Sequence, residues 1–151
     1  MLRQAFTDRL KQALKARDAR ALSTTRLILA GLKDRDVAAR GQGNAEGISE
    51  TEIQRMLQAM IKQRRESIAL YEQGNRPDRA QQEREEIVVI ESFLPHQLGL
   101  TEIEAAAVSI IAETEAAGIK DMSRVMAALR ERYAGVVDFS QAGVIVKRLL
   151  S

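Results

Sequence analysis

Helical periodicity runs through this chain from end to end, and strand-like alternation of apolar and polar residues occurs nowhere. Apolar residues recurring at three- and four-residue intervals line one face of an α-helix, whereas a half-buried strand needs period two. Leu2, Phe6, Leu10 and Leu14 mark a first helix. Leu22, Ile28, Leu29 and Leu32 mark a second that runs toward Arg40. Ile53, Met56, Leu57, Met60, Ile61, Ile68 and Tyr71 mark a third, long enough to span roughly 35 Å at the helical rise. Aromatic residues are only 3% and Trp is absent, so the core is built from Leu, Ile, Val, Met and Ala. Leu, Ala, Glu, Gln and Arg are strong helix formers. The fold class expected is all-α.

Local signals punctuate these helices. Gly41 to Gly47 reads as a flexible loop. Ser49-Glu-Thr-Glu52 has the pattern of a capping box, in which Ser covers an orphan amide and Glu reaches back. Gly74 and then Pro77 stop the long helix. A fourth helix carries Ile87, Ile90, Phe93 and Leu94 and ends before Pro95, because the residue before Pro avoids the α region. Beyond the connector His96–Leu100, Thr101-Glu-Ile-Glu104 repeats the capping-box pattern. Its helix is expected to run through Ile103, Ala107, Ile110 and Ile111 to Gly118. Asp121 is expected to cap a helix with Met122, Val125, Met126, Leu129 and Tyr133 on one face, closed by Gly135. Ser140 is expected to open a last helix burying Val144, Ile145 and Leu149. The organisation predicted is an N-terminal helical domain over 1–95, with a long helical hairpin, and a small three-helix tail over 96–151.

Composition excludes several chemistries. The absence of cysteine removes disulfides, thiolate metal sites and a Cys nucleophile. One histidine, His96, cannot make a multi-His zinc site, and no triad pattern surrounds it, so a hinge role is expected. No phosphate-binding Gly-rich loop, nucleophile elbow or zinc-binding helix motif occurs. No catalytic residue, metal or cofactor is expected. The N-terminus is charged from the start and lacks an apolar signal region, and no apolar window approaches the ~20 residues of a membrane span. The compartment expected is the cytoplasm, with no membrane partner. The net charge is only +2, with 17 Lys/Arg against 14 Asp/Glu over 1–95 and 6 against 7 over 96–151.

Three stretches carry a family resemblance. They are Ile61-Lys-Gln-Arg-Arg-Glu-Ser67 followed by Tyr71-Glu-Gln-Gly-Asn-Arg76, then Glu91-Ser-Phe-Leu-Pro-His-Gln-Leu98, and then Asp121 to Leu150. In this order and spacing they resemble the GatB/YqeY family, whose helical tail is shared with the GatB subunit of the tRNA-dependent amidotransferase. The resemblance implies a tRNA-associated, non-catalytic module. A carbon–nitrogen ligase activity with glutamine as donor attaches to it by association alone, since a shared fold does not transfer an active site. The family pattern has Gly after the first tail Met and an Asp-Gly step before the last helix. Here those positions hold Ser123 and Asp138-Phe139.

Two sets of residues stand out. Arg64 falls within the apolar stripe of the long helix, where an unpaired charge would cost several kcal/mol. It is expected either to pair with Glu83 or Glu86 on the next helix, or to stand exposed in a groove that accepts phosphate. Arg26, Lys33 and Arg40 recur every seven residues, and Arg55, Lys62 and Arg65 form a similar edge. Both edges read either as solvated faces with long stems over apolar surface or as a phosphate-binding strip. Lys120, Arg124 and Lys147 extend the basic set into the tail. Four to six phosphate contacts would give weak, salt-sensitive binding of tRNA or another structured RNA. No aromatic interleaves these charges, so base stacking is not expected. The alternative partner is a protein, an aminoacyl-tRNA synthetase or an amidotransferase, docked on apolar tail surface.

Overall fold

The computed structural model describes residues 1–151. Seven α-helices and one 3₁₀ turn make up the fold, with no strand. The helices are α1 (Leu2–Ala16), α2 (Ala19–Gly41), α3 (Glu50–Gln73), α4 (Pro77–Glu91), α5 (Leu100–Thr114), α6 (Met122–Arg132) and α7 (Phe139–Leu150), with the 3₁₀ turn at Ile119–Asp121. The chain divides into two compact units, Met1–Leu94 and Pro95–Ser151, each with its own core.

In the first unit, α1 to α4 enclose Phe6, Ile28, Ile53, Met56, Leu57 and Ile90, all essentially inaccessible to solvent. Phe6 meets Phe93 edge to face at 4.8 Å between ring centres, the geometry that the aromatic quadrupole favours. Asp18 caps α2 by accepting from the Ala21 N–H at 3.1 Å. Ser49 and Glu52 form the capping box of α3 reciprocally, at 3.2 and 2.7 Å. Pro77 occupies the first turn of α4, where its missing N–H costs nothing. Leu14 is half exposed, and the fully buried residue in the last turn of α1 is Ala13 instead.

In the second unit, α5, α6 and α7 close around Ile103, Ile110, Val125, Leu129, Val137 and Val146. Five expectations fail here. Thr101 does not cap α5. Gly99 does, and the chain is already helical at Leu100. Glu104 does not reach back, because its carboxylate pairs with Arg148 of α7 at 3.1 Å. The helix ends at Thr114 rather than running to Gly118, with Glu115 in the left-handed region at φ 54°. Asp121 precedes α6 but caps no amide of that helix. Its carboxylate accepts from the Ala117 N–H at 2.9 Å and meets Arg124 at 3.1 Å. In α7, Asp138 rather than Ser140 is the cap, accepting from the Ser140 and Gln141 amides. The buried face is Ala142, Ile145, Val146 and Leu150, and Val144 is 71% exposed. Val144-Ile-Val146 is an unbroken apolar run, whose facing periodicity alone does not determine.

Candidate nucleic-acid interface

The long stripe of α3 carries Arg64 into the packed seam with α4. Its side chain is only 12% exposed, and its Nε donates to Glu86 Oε2 at 2.9 Å. Nη1 donates to the Met60 carbonyl at 3.2 Å, and Glu83 stands farther off at 3.9 Å. Glu86 is buried and also has Arg20 Nη1 at 3.9 Å and Gln82 Nε2 at 3.4 Å. Glu83 has its carboxyl pushed up, first by burial and then by the charge of Glu86. Arg64 is thus a helix-to-helix tie, with Glu86 as its principal partner. Facing the interior of the same unit, Thr24 and Thr25 of α2 are fully buried, and their hydroxyls have no hydrogen-bond partner.

A second polar node was not visible in the sequence. Asp36, buried at the end of α2, receives both ends of the Arg3 guanidinium at 2.6 and 2.9 Å. It also accepts from the Ile48 N–H at 2.9 Å, while Arg3 Nη2 donates to the Ile48 carbonyl at 3.0 Å. The Arg3 hydrogen bonds, aided by the Ile48 amide, hold the Asp36 carboxyl at about 2 against burial, which pushes the other way. This node ties α1, α2 and the Gly41–Gly47 loop together. Gly47 is required there. Its φ is +86°, and a Cβ would stand 2.3 Å from Asp36 Oδ1. The segment expected to be flexible is therefore pinned at its end. The partners lie 33 and 12 residues apart, beyond the reach of any local pattern.

The basic residues are distributed as follows. Arg26, Lys33 and Arg40 are all exposed on α2. Seven-residue spacing drifts only about 20° per repeat, so they share one edge of the helix. Arg26 and Lys33 make no ion pair, and Arg40 donates from Nε to the Ala45 carbonyl at 3.2 Å and helps to lower the Asp36 carboxyl. On α3, Arg55 and Lys62 are exposed, and Arg65 meets Glu91 at 3.6 Å. Arg55 shares an open groove of about 390 Å³ with Arg35, Ala38, Ala39, Gln42, Ile48 and Glu52. Arg35 was absent from the expected set. It sits outside the seven-residue series, and only tertiary packing brings it near α3. In the second unit, Lys120 and Lys147 are exposed and Arg124 is tied to Asp121. Arg130, also unanticipated, lies over the Phe139 ring at 5.7 Å. No group of three or more His, Cys, Asp or Glu side chains is arranged to hold a metal ion. No helix is long and apolar enough to cross a membrane.

Fold and surface together define an all-α protein of two small helical units with exposed, largely uncompensated cations on α2. The family model described as YqeY-like protein matches residues 3–150, and the chain belongs to that family. It is also similar to a protein named Altered inheritance of mitochondria protein 41, mitochondrial, from Lachancea thermotolerans. The two are 31% identical over 85 residues, covering 56% of this chain and 43% of the relative. The chain thus spans less than half the length of that relative.

Proposed function

We propose that this protein is a binding module for structured RNA, tRNA above all, that holds phosphates rather than reading bases. The observation that carries the reading is the edge of α2, where Arg26, Lys33 and Arg40 are all exposed, Arg26 and Lys33 meet no carboxylate, and Arg40 lies only in the field of the buried Asp36. Basic side chains recurring along one helix edge match a regularly charged backbone, and phosphate contacts supply affinity without sequence information. The resemblance of residues 121–150 to the GatB tail points the same way. The Arg64 tie is structural in this reading, being too buried to meet a ligand. A cytoplasmic location goes with the proposal.

A protein-docking reading has its own observation. Leu100, Val108 and Val144 are each at least half exposed on the second unit. A synthetase or amidotransferase surface would be the partner. Retention of tRNA by the purified full chain separates the two readings. Salt-labile retention is the expected result. A protein partner that stays bound through nuclease and high salt, with no tRNA retained at low salt, would favour docking and sink the RNA reading.

A further inference from the structure

The groove between the C-terminal turns of α2 and the first turns of α3 differs from the rest of the basic surface. It is concave, and its two cations come from different helices. Neither Arg35 nor Arg55 makes a hydrogen bond or a close ion pair within the protein. The acids of the adjoining turns are committed elsewhere. Asp36 is engaged by Arg3 and the Ile48 amide, and Glu50 accepts from the Leu2 N–H at 2.8 Å. Glu52, on the groove wall, accepts from the Ser49 N–H at 2.7 Å, which, with the Ser49 side chain and to a lesser degree the Arg55 charge, holds its carboxyl below the usual range. Asp34 is rotated about 100° from Arg35 around the helix. Two guanidinium groups therefore face one concave place with their hydrogen bonds unspent, and only the Glu52 charge offsets part of that of Arg55. Ala38 and Ala39 present only methyl groups in that groove, so a ligand oxygen can approach closely.

We infer that this groove is a phosphate site, with Arg35 and Arg55 closing on the anion from opposite helices and the Gln42 amide as a further donor. Arginine suits the task, because its planar fork pairs with phosphate oxygens through two parallel hydrogen bonds. The phosphate belongs either to an RNA backbone or to a free phosphate ester, and the same chemistry recognises both. The inference rests on the phosphate-binding reading above and gives it a defined place. Glu52 sets an opposing charge at the rim. Glu52→Gln removes that charge while keeping the cap, since Gln serves equally at this position of a capping box.

The test uses the full chain with two probes, fluorescently labelled tRNA followed by anisotropy and inorganic pyrophosphate followed by calorimetry. Arg35→Ala/Arg55→Ala is compared with Lys11→Ala/Lys15→Ala, which removes the same charge from the exposed face of α1. All four positions are exposed, and melting curves are to be recorded to check that each variant folds. The groove variant is expected to bind tRNA at least about tenfold more weakly, as loss of a charged hydrogen bond implies. Its log–log salt slope should fall by roughly 1.4 to 1.8, while the α1 variant binds nearly as the wild type does. Glu52→Gln should tighten binding. If both double variants bind tRNA alike and pyrophosphate is unaffected by either, the groove assignment is overturned while RNA binding by the protein stands. If pyrophosphate binds through Arg35 and Arg55 but tRNA does not bind at all, the groove stands as a small phosphate-ester site and the RNA reading falls. Binding of neither probe overturns both.

Discussion

Asp36 shows how one buried carboxylate couples packing to pH. Its folded value of about 2 lies below the ordinary 3.8. A depressed carboxylate stabilises the fold above its unfolded value and loses that contribution as pH falls toward the folded one. The first unit should therefore weaken by about 2 kcal/mol between roughly pH 4 and pH 2 from this group alone. Urea unfolding as a function of pH, on the wild type and on Asp36→Asn, checks it, and the variant should lack this component. Arg64 makes the companion case. Arg64→Ala leaves Glu86 buried without its closest cation, and should cost more than about 1 kcal/mol in the same assay. Glu83 behaves oppositely. Burial raises its carboxyl, so its charged form opposes folding at neutral pH. Glu83→Gln should leave the urea midpoint unchanged or raise it, and a clear drop would show that Glu83 rather than Glu86 is the partner of Arg64.

At the scale of elements, what was legible in the sequence depended on the range over which each decision is made. Helix existence and type were readable because the apolar stripes of α1 to α4 are long and their period is local. The Ser49–Glu52 capping box was readable for the same reason. The identical pattern at Thr101–Glu104 misled, because Arg148, 44 positions away, claims the Glu104 carboxylate. Val144 misled because three successive apolar residues carry no facing information. Of the candidate site, the α2 edge was legible from its seven-residue spacing. The pairing of Arg35 with Arg55 across a groove was not, since it exists only once α2 meets α3. The Gly41–Gly47 loop yields a prediction at this scale. Gly47→Ala forces a side chain into positive φ and into Asp36, so a loss of at least about 1–2 kcal/mol in urea denaturation is expected. Gly43 has positive φ but open space around it, so Gly43→Ala should cost less.

For the whole molecule, membership of the YqeY-like family and the all-α fold are established, and the proposed binding role rests on where exposed cations lack an ion pair. Several cations meet a nearby acid, as Arg3, Arg64, Arg65, Arg124, Arg132 and Arg148 do. Those on the α2 edge make no ion pair. Ordinary surface ion pairs contribute little to stability, so leaving these cations unpaired costs the fold almost nothing and keeps them available to a polyanion. The most direct measurement is the equilibrium binding of tRNA to the full chain as potassium chloride is raised. The account predicts a log–log slope of about −3 to −5, from four to six phosphate contacts, and a slope shallower by roughly 2 to 3 for Arg26→Ala/Lys33→Ala/Arg40→Ala. A slope that this triple substitution leaves unchanged, or no tRNA binding even at low salt, would contradict it.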